Sequence, residues 1–450
     1  MKHANKIAAL LALVGAMTAL PAGAATTQAE VDRLGKDLTP NGAEMAGNKD
    51  GTIPAWEGGL TEPPAGWSPQ KGYVDPFPND KPLFTINAAN AEKYKDKLTP
   101  GQMALLKKYP NFAMNVYQSR RTFAYPEDVN KATKVQALKA TTDNVSVQNY
   151  TSPGTPFPVP KTGAEAILNH ELRWFGANDR CSDWAPVQPN GDWYKVGFCE
   201  NFVQPSNLDN PKSNLLFAFY GAYDAPSTLI GTIYLVHDPI DRASGAGRDA
   251  WIYNAGQRRV RRAPDLAFDS PQDGQEGMDT SDGYWCFNGS LERYDWKLIG
   301  KEEKYIPYNS YKAMDTTLKY ADMLQKGTVK SDIFRYELHR VWHVQATLKP
   351  GMSHVYPKRD FYLDEDSHMI AWTDAYDGQG TLWRPVSCPL VQAYDAKTMF
   401  HAMYVVHDLV KGSYIMVSAT NERKQPANTW GARAKWADFQ VDAIRRRGTR

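Results

Sequence analysis

The segment from residue 333 to residue 348 alternates apolar and polar side chains, and it limits the fold more than any other part of the sequence. The apolar positions are Phe334, Tyr336, Leu338, Trp342, Val344, Ala346 and Leu348. The opposite positions are Arg335, Glu337, His339, His343, Gln345 and Thr347, and Arg340 is the one charge on the apolar face. A period of two over this length is typical of a long β-strand with one covered face. The pattern therefore predicts a long strand within a β-sheet.

Further strand patterns surround this segment. Runs of β-branched, aromatic and aliphatic residues occur at positions 215–223, 232–236, 250–253, 294–299, 369–373 and 414–418. Turn signals such as Lys349-Pro350-Gly351 join successive strands. Strands that follow one another through short turns pair antiparallel. We therefore predict an α+β fold that is mainly antiparallel β.

Two helix starts carry capping signals. Residues 99–102 are Thr-Pro-Gly-Gln, and residues 162–165 are Thr-Gly-Ala-Glu. Threonine is a favourable N-cap, and a glutamine or glutamate three residues later completes a capping box. We expect the second helix to run from Thr162 to Phe175 and to end at Gly176.

Proline divides the chain into two parts. Residues 25–160 are proline-rich and irregular, and prolines 153, 156, 158 and 160 force extended backbone at the end of this stretch. We predict an N-terminal arm with short helices at residues 25–160 and a sheet domain with packing helices at residues 161–450. The polar segment 264–283 is interpreted as a long surface loop rather than a lid over a cavity.

The first 24 residues have the three parts of a secretory signal peptide. Lys2 and Lys6 precede an uncharged apolar stretch at residues 7–20, and Ala22-Gly23-Ala24 matches the small-x-small cleavage pattern. The apolar stretch is too short for a comfortable membrane span. We expect cleavage after Ala24 and a mature protein in the periplasm of a bacterial-type envelope, with the outer membrane as a possible site of association.

The charge balance argues against two classes of partner. The chain has 52 Lys+Arg and 50 Asp+Glu, and its first 24 residues hold two lysines and no acidic residue, which leaves 50 of each sign. Nucleic acids and anionic membrane surfaces attract proteins with a field of one sign. We therefore predict no nucleic-acid partner.

The four cysteines are Cys181, Cys199, Cys286 and Cys388. An even number in a chain with an export signal favours two disulfides, for which three pairings are open. We favour Cys181 with Cys199, which closes a short loop through Asn190-Gly191 and leaves Cys286 for Cys388. A zinc site does not fit, because no two cysteines have the short spacing that such sites use.

The enzyme motifs that begin in this sequence are incomplete. His170-Glu171 starts like a zinc-protease helix, but Trp174 stands where the second histidine is needed. No G-x-S-x-G nucleophile elbow occurs. We predict no catalytic residue and no cofactor, and an enzyme that acts on a lipid or a polysaccharide is kept as an alternative.

Two further groups of side chains could bind a metal in principle. His339 and His343 are about 13 Å apart on a strand that rises about 3.3 Å per residue, which is too far for one ion. Asp364, Glu365 and Asp366 lack the regular spacing of a calcium loop and are interpreted as a solvated hairpin turn. We therefore predict no metal site.

Several long segments resemble a known protein family. They are residues 157–163 with Asn169-His170, Trp251-Ile252-Tyr253-Asn254 with residues 258–262, Asn288-Gly289-Ser290 with Tyr294-Asp295-Trp296, residues 305–309, and residues 354–359 with residues 362–366. The sequence resembles an uncharacterised family of exported Gram-negative proteins, number 1329 among the domains of unknown function. The resemblance covers nearly all of the mature chain.

Residues 251–262 also resemble outer-membrane lipoprotein-sorting proteins. In those periplasmic carriers a strongly curved antiparallel sheet closes over helices and leaves an apolar cavity for acyl chains. The resemblance implies a curved sheet or half-barrel packed on helices, with the helix at residues 162–175 as a packing partner. Members of the resembled family are also associated with exporters of hydrophobic compounds and with outer-membrane partners, which implies a transport setting.

These features predict a periplasmic carrier or chaperone that binds a hydrophobic small molecule or lipid in an apolar cavity. The predicted wall residues are Phe217, Phe219, Trp251, Tyr253, Tyr336 and Trp342, and ordinary sheet core is the alternative for each. The alternative function is a non-catalytic envelope subunit that links an inner-membrane exporter to an outer-membrane protein. In that case Arg258, Arg259, Arg261 and Arg262 would dock an acidic partner.

Overall fold

The computed structural model describes residues 26–151, 153–242 and 247–448. The predicted signal peptide at residues 1–24 lies outside the described residues. Within them, no helix is both long enough and apolar enough to cross a membrane.

The described residues form twenty strands. They are β1 Phe84–Ile86, β2 Met114–Val116, β3 Thr141–Thr142, β4 Val147–Gln148, β5 Ala177–Val187, β6 Val196–Val203, β7 Phe217–Ala225, β8 Ile233–Asp238, β9 Asp249–Asn254, β10 Arg259–Arg262, β11 Tyr294–Pro307, β12 Tyr336–Leu348, β13 Lys358–Asp364, β14 Ile370–Tyr376, β15 Leu382–Ser387, β16 Leu390–Ala393, β17 Thr398–His401, β18 Tyr404–His407, β19 Tyr414–Ala419 and β20 Asn428–Trp430. The long alternating segment of the sequence is β12.

The same residues form six α-helices, most of them short. They are α1 Gln28–Val31, α2 Pro100–Lys108, α3 Glu127–Lys139, α4 Gly163–Glu171, α5 Tyr320–Met323 and α6 Val441–Gly448.

Sixteen of the described strands form one open sheet. Its order is β1-β2-β12-β13-β14-β15-β18-β19-β5-β6-β7-β8-β9-β10, while β11 pairs with β12 and β20 with β5. The pairing of β2 with β12 is parallel, and the other pairs are antiparallel. The predicted mainly antiparallel α+β fold is confirmed.

Alternate side chains of each strand pack on different sides of this sheet. In β19, Ile415 and Val417 join a buried cluster with residues of α4, whereas Tyr414 and Met416 join a cluster with residues of the N-terminal arm. We call the first side the α4 face and the second the arm face. Both faces are covered, which is why few positions of β19 are polar.

The arm face is covered by two distant parts of the chain. Leu105 and Leu106 of α2 pack over its central strands, and Phe439 and Ile444 near the C-terminus pack over β8 and β9. The arm also lengthens the sheet, because β2 hydrogen-bonds to β12. The boundary at residue 160 stays a prediction.

The capping signals predict both helix starts. The Thr99 hydroxyl accepts a hydrogen bond from the Gln102 backbone at 3.1 Å, and the Gln102 side chain accepts one from the Thr99 backbone at 3.0 Å. In α4 the Thr162 hydroxyl caps the Glu165 backbone, but the Glu165 carboxylate accepts from Lys161 rather than from Thr162.

Helix α4 ends at Glu171, four residues before the predicted end. The side chain of Gln204 accepts hydrogen bonds from the backbone N–H groups of Phe175 and Gly176 and donates one to the Arg173 carbonyl. These bonds take backbone groups that a longer helix would have used. A side chain some thirty residues away therefore ends the helix, and no local signal announces it.

The predicted disulfide pairing is confirmed. Cys181 and Cys199 face each other across β5 and β6, and Cys286 joins Cys388 over a separation of 102 residues.

The acidic turn after β13 is buried, so its interpretation as a solvated hairpin turn is wrong. Asp366 pairs with Arg121 of the arm at 2.6 Å, and Glu365 pairs with Arg340 at 2.8 Å. All four side chains are less than a tenth exposed. Buried carboxylates need such partners, and the arginines supply them from outside the turn.

His339 lies in the same charged cluster. Its ring nitrogens lie 3.2 Å from Glu337 and 3.4 Å from Asp364. Burial alone would lower the pKa of His339, but the hydrogen bonds and charges of Asp364 and Glu337 outweigh it and raise the pKa to about 9.

The approach of α4 to the sheet gives the first prediction. A Cβ atom on Gly163 would lie 2.8 Å from backbone carbons of Trp296 and Lys297 in β11. Because backbone cannot move aside as a flexible side chain does, Gly163→Ala should lower the free energy of unfolding by about 1–3 kcal/mol in urea titrations.

The matched control is Gly378→Ala, where nothing lies within 4 Å of the new Cβ atom. This variant should stay within about 0.5 kcal/mol of the wild type. Equal stabilities of the two variants would contradict the close approach of α4 to β11.

The pKa of His339 gives the second prediction. A histidine whose pKa rises on folding stabilises the folded state fully below its unfolded pKa of about 6.5, and this stabilisation is lost as the pH rises through about 9. His339→Gln should therefore be less stable than the wild type at acidic pH and should lose less stability between these two values. Parallel stability curves for the two proteins would show that His339 is not protonated in the fold.

Candidate functional site

A cavity of about 260 Å³ lies on the α4 face at the end of the sheet formed by β5 to β9. Residues 263–288 cover it, and we call them the roof segment. The interpretation of residues 264–283 as merely a surface loop is therefore corrected. Ligand sites in proteins have volumes of about 300–1,000 Å³, so this cavity is close to the lower limit.

The sheet side of the cavity is aromatic. Its ring-bearing residues on β5, β6 and β7 are Trp184, Phe198, Phe202, Phe217, Phe219 and Tyr223. They occupy alternate positions of neighbouring strands and therefore project to the same face. The rings of Phe202 and Phe217 stack with centroids 4.3 Å apart, so the wall is packed.

The second half of the roof segment is firmly attached to the sheet. Cys286 forms its disulfide with Cys388, and Asp282 pairs with Arg359 of β13 at 2.7 Å and with His354 at 3.0 Å. All of these residues are buried. This half of the roof forms a fixed cover.

The first half of the roof segment is held by hydrogen bonds from β7 and from the residue that precedes β9. Arg248 donates to the Leu266 carbonyl at 2.9 Å, and the Tyr223 hydroxyl donates to the Asp273 carbonyl at 2.7 Å. Exposed side chains that line the cavity, among them Arg261 and Arg262 of β10, mark its mouth at this side.

The inner end of the cavity is charged. Asp238 accepts hydrogen bonds from Arg248 at 2.8 Å and from Arg242 at 3.1 Å, and Arg242 also lies 3.9 Å from Glu171. Burial raises the pKa of Glu171 to about 7, although the nearby arginines oppose the shift. Glu171 therefore titrates near neutral pH.

Arg173 completes the inner end. Its guanidinium lies over the ring of Trp285 in the roof segment, 4.8 Å from the ring centroid, and donates to the His170 carbonyl at 2.6 Å. Burial lowers the pKa of Arg173 to about 10, so the group stays charged at neutral pH. Side chains at this end thus present both charge and aromatic surface.

His170, which belongs to the incomplete zinc motif, has a structural role. One ring nitrogen lies 3.2 Å from the carbonyl of Phe287 in the roof segment, and the other accepts from the Ile370 backbone at 3.2 Å. Burial holds the pKa of His170 well below its usual value, so the ring is neutral. Both nitrogens are occupied by backbone groups, and the histidine joins helix, roof and sheet.

The structure brings two of the six predicted wall residues to the cavity. Phe217 and Phe219 line it, whereas Trp251 and Tyr253 face the C-terminal segment on the arm face. Tyr336 and Trp342 lie in buried clusters of the sheet outside the cavity wall, Tyr336 with the arm residues and Trp342 with those of α4. The part that each of the six takes in ligand binding stays a prediction.

The predicted partner-binding arginines lie on and next to β10, the last strand of the sheet. Arg258, Arg259, Arg261 and Arg262 are exposed. Arg262 pairs with Asp249 on the neighbouring strand. Charged side chains on an edge strand also prevent edge-to-edge pairing, so docking of a partner is not needed to explain them.

One described group of three side chains has metal-like spacing outside the disulfides. Atoms of His339, Asp364 and Asp366 lie within 4.8 Å of one another. However, Arg121 donates to both carboxylate oxygens of Asp366, at 2.6 and 2.9 Å. The group is better described as an ion-pair network than as a metal centre.

Sequence reasoning missed the charged end and the roof. Glu171 and Arg173 lie within three residues of the histidine of the incomplete zinc motif, and Asp238 is the last residue of β8. The available signal was a charged residue at the end of an apolar strand or helix. That signal is weak, because such residues are usually solvated.

A family model described as "Protein of unknown function (DUF1329)" matches residues 85–445. A protein of Pseudomonas aeruginosa described as uncharacterised is 44% identical over 436 residues, which are 95% of this chain and 95% of that protein.

Three solved structures are also similar. A DUF1329 family protein from Desulfovibrio piger is 15% identical with a TM-score of 0.43, over 62% of this chain and 95% of that chain. A domain named as an outer membrane lipoprotein-sorting protein, from Vibrio parahaemolyticus, is 13% identical with a TM-score of 0.42, over 62% and 97%. A LolA superfamily protein from Nitrosomonas europaea is 11% identical with a TM-score of 0.38, over 63% and 99%.

The family match spans most of the chain, and the Pseudomonas relative matches it almost from end to end. Both agree with the resemblance seen in the sequence motifs. The chain belongs to the DUF1329 family.

Proposed function

We propose that this protein is a carrier of the cell envelope that binds a hydrophobic small molecule or lipid-like compound under the roof segment. The cavity carries this proposal, because its wall is mainly aromatic and lies on a sheet whose strands are held by ladders of hydrogen bonds. Preformed apolar cavities with a few polar groups are the usual form of small-molecule sites.

Apolar burial is the driving force of the proposed binding. Each Å² of apolar surface removed from water contributes about 25 cal/mol, so a ligand that buries about 200 Å² gains about 5 kcal/mol before the cost of ordering it. The size of the cavity favours a small molecule or a single acyl chain over a ligand with several chains.

The proposed place of action is the periplasm. Two disulfides suit an oxidising compartment, and the first 24 residues have the pattern of an export signal. Association with the outer membrane is part of the same proposal.

The inner carboxylates support binding rather than catalysis. Asp238 is engaged by two arginines and is therefore not free to act as a nucleophile or a base. Among the described residues that line the cavity there is no histidine or cysteine.

The exposed arginines favour a second element of the proposal. Arg258 and Arg259 lie near the mouth but outside the cavity lining, where they could dock an acidic surface of an exporter or of an outer-membrane protein. Such a contact would place the mouth against the partner that supplies or receives the ligand.

The first test of the function is native mass spectrometry of protein purified from its own periplasm, followed by solvent extraction of any bound mass. We expect an adduct that resolves to a hydrophobic compound. A titration with the uncharged probe N-phenyl-1-naphthylamine should give saturable binding at one site. A clean apo mass together with the absence of probe binding would contradict the carrier function.

A pair of variants on β7 locates the binding site. Phe219→Trp adds a larger ring to the cavity wall and should weaken probe binding by about tenfold or more. Tyr220→Trp changes the next residue, which packs on the arm face, and should bind as the wild type does. Equal binding by both variants would place the site elsewhere.

Charge reversal separates docking from ligand binding. The double variant Arg258→Glu, Arg259→Glu should keep the probe affinity of the wild type, because neither side chain lines the cavity. It should lose transfer of the ligand to isolated membranes, since an acidic partner would now be repelled. Unchanged transfer would remove these arginines from the docking surface.

A further inference from the structure

The inner end of the cavity contains a buried cation without an acidic partner. Arg173 is 7% exposed, and within the described ranges no carboxylate lies within ion-pair distance of its guanidinium. Its hydrogen bond to the His170 carbonyl is a contact with a neutral group. A charge buried in this way is costly unless something else neutralises it.

The neighbouring charges do not neutralise Arg173. Two other arginines, Arg242 and Arg248, share the carboxylates of Asp238 and Glu171, so three buried guanidinium groups meet two buried carboxylates. The carboxylate of Glu292 also acts on Arg242, but it is exposed and outside ion-pair distance, so water screens its charge. This leaves one positive charge in excess, and more when Glu171 is protonated. The cavity is therefore positive at its closed end.

Hydrogen-bonding capacity is also left unused there. Among the described groups, the Nε atom of Arg248 and one carboxylate oxygen of Glu171 are buried without a hydrogen-bond partner. Buried polar atoms are nearly always paired in folded proteins. The Arg248 Nε–H is an unpaired donor in the lining of an otherwise aromatic cavity, and it points to a ligand group that accepts a hydrogen bond.

We propose that the ligand is a single-chain amphiphile with a carboxylate head, whose apolar chain lies against Phe217 and Phe219 and whose head pairs with Arg173. A carboxylate matches the planar fork of a guanidinium and forms two parallel hydrogen bonds with it. One negative charge also balances the excess at this end. The inference rests on the proposed carrier function and adds the chemical class of its ligand.

The closed end selects the carboxylate over other heads. A cationic head would be repelled by the arginines, and an uncharged alcohol would leave the excess charge in place. A phosphate monoester carries up to two negative charges and is bulkier, and the limited volume of the cavity favours the smaller group.

The experiment compares ligands with the same ten-carbon chain, measured by displacement of N-phenyl-1-naphthylamine from the full-length mature protein. We expect decanoate to bind about tenfold or more tightly than decanol, because only the acid pairs with Arg173. In Arg173→Gln this preference should disappear while decanol binds as before. Arg433→Gln removes an exposed arginine that is not part of the lining and should keep the preference.

The pH gives a readout that a purely structural role of Arg173 would not change. Glu171 is faced by Arg242 and Asp238, by Arg248, and by Arg173 on its own segment. As the pH rises through about 7, Glu171 loses its proton and the excess positive charge falls, so decanoate should bind more weakly. Decanol affinity should not change, and Glu171→Gln should bind decanoate equally well across this range.

The measured affinities distinguish failure of the carboxylate inference from failure of the carrier function. Equal affinities of the wild type for decanoate and decanol, or a preference that survives in Arg173→Gln, would overturn the inference and leave the carrier function intact. Tighter binding of decyl phosphate than of decanoate would overturn the choice of carboxylate. If neither decanoate nor decanol displaces the probe, the inference fails with the probe site intact, whereas a protein that does not bind the probe fails as a carrier. Should Arg173→Gln not fold, the two affinities of the wild type and their pH dependence decide alone.

Discussion

Every strand of the large sheet has two faces, and the structure depends on covering both of them. The arm face is covered by residues from the two ends of the chain, which pack directly on the strands. On the α4 face, helix α4 packs closely over β11 and β12, but it does not extend to β6, β7 and β8. There the cover is the roof segment, which is attached at its edges and leaves a space in the middle. The cavity thus exists because helix α4 covers only part of this face and the roof segment does not pack tightly over the rest.

Strand periodicity predicted the sheet because it is a local property, and it could not predict which face would meet which cover. In β7 the aromatic positions Phe217 and Phe219 do face the cavity. In β9 the same reasoning selected Trp251 and Tyr253, yet Ile252 faces the cavity, because residues near the C-terminus bury the other side. The early end of α4 and the roof likewise depend on contacts between residues that are distant in the chain. The capping motifs were informative because they are short-range, and the short loop between Cys181 and Cys199 left Cys286 for Cys388 by elimination.

The charged groups of the molecule fall into two kinds. Around His339 and the turn after β13, arginines and carboxylates are matched, and the network joins the arm to the sheet. At the inner end of the cavity the match is incomplete, and the excess lies next to aromatic surface. A charge network whose members are all paired stabilises the fold, whereas an unpaired charge buried in a cavity is typical of a functional site. Arginines and carboxylates therefore have a structural role around His339 and form a different, unbalanced group at the inner end of the cavity.

The disulfide between Cys286 and Cys388 also determines how late the roof segment can be fixed over the aromatic wall. The aromatic wall is complete once β9 has emerged, but Cys388 follows Cys286 by 102 residues. Until the Cys388 thiol is available and the disulfide has formed, the roof segment is not covalently fixed over the aromatic residues of β5 to β7. Their apolar surface is then exposed to water. A newly made chain is therefore most vulnerable to aggregation or to capture by chaperones before this disulfide forms, and reducing conditions would prolong this interval.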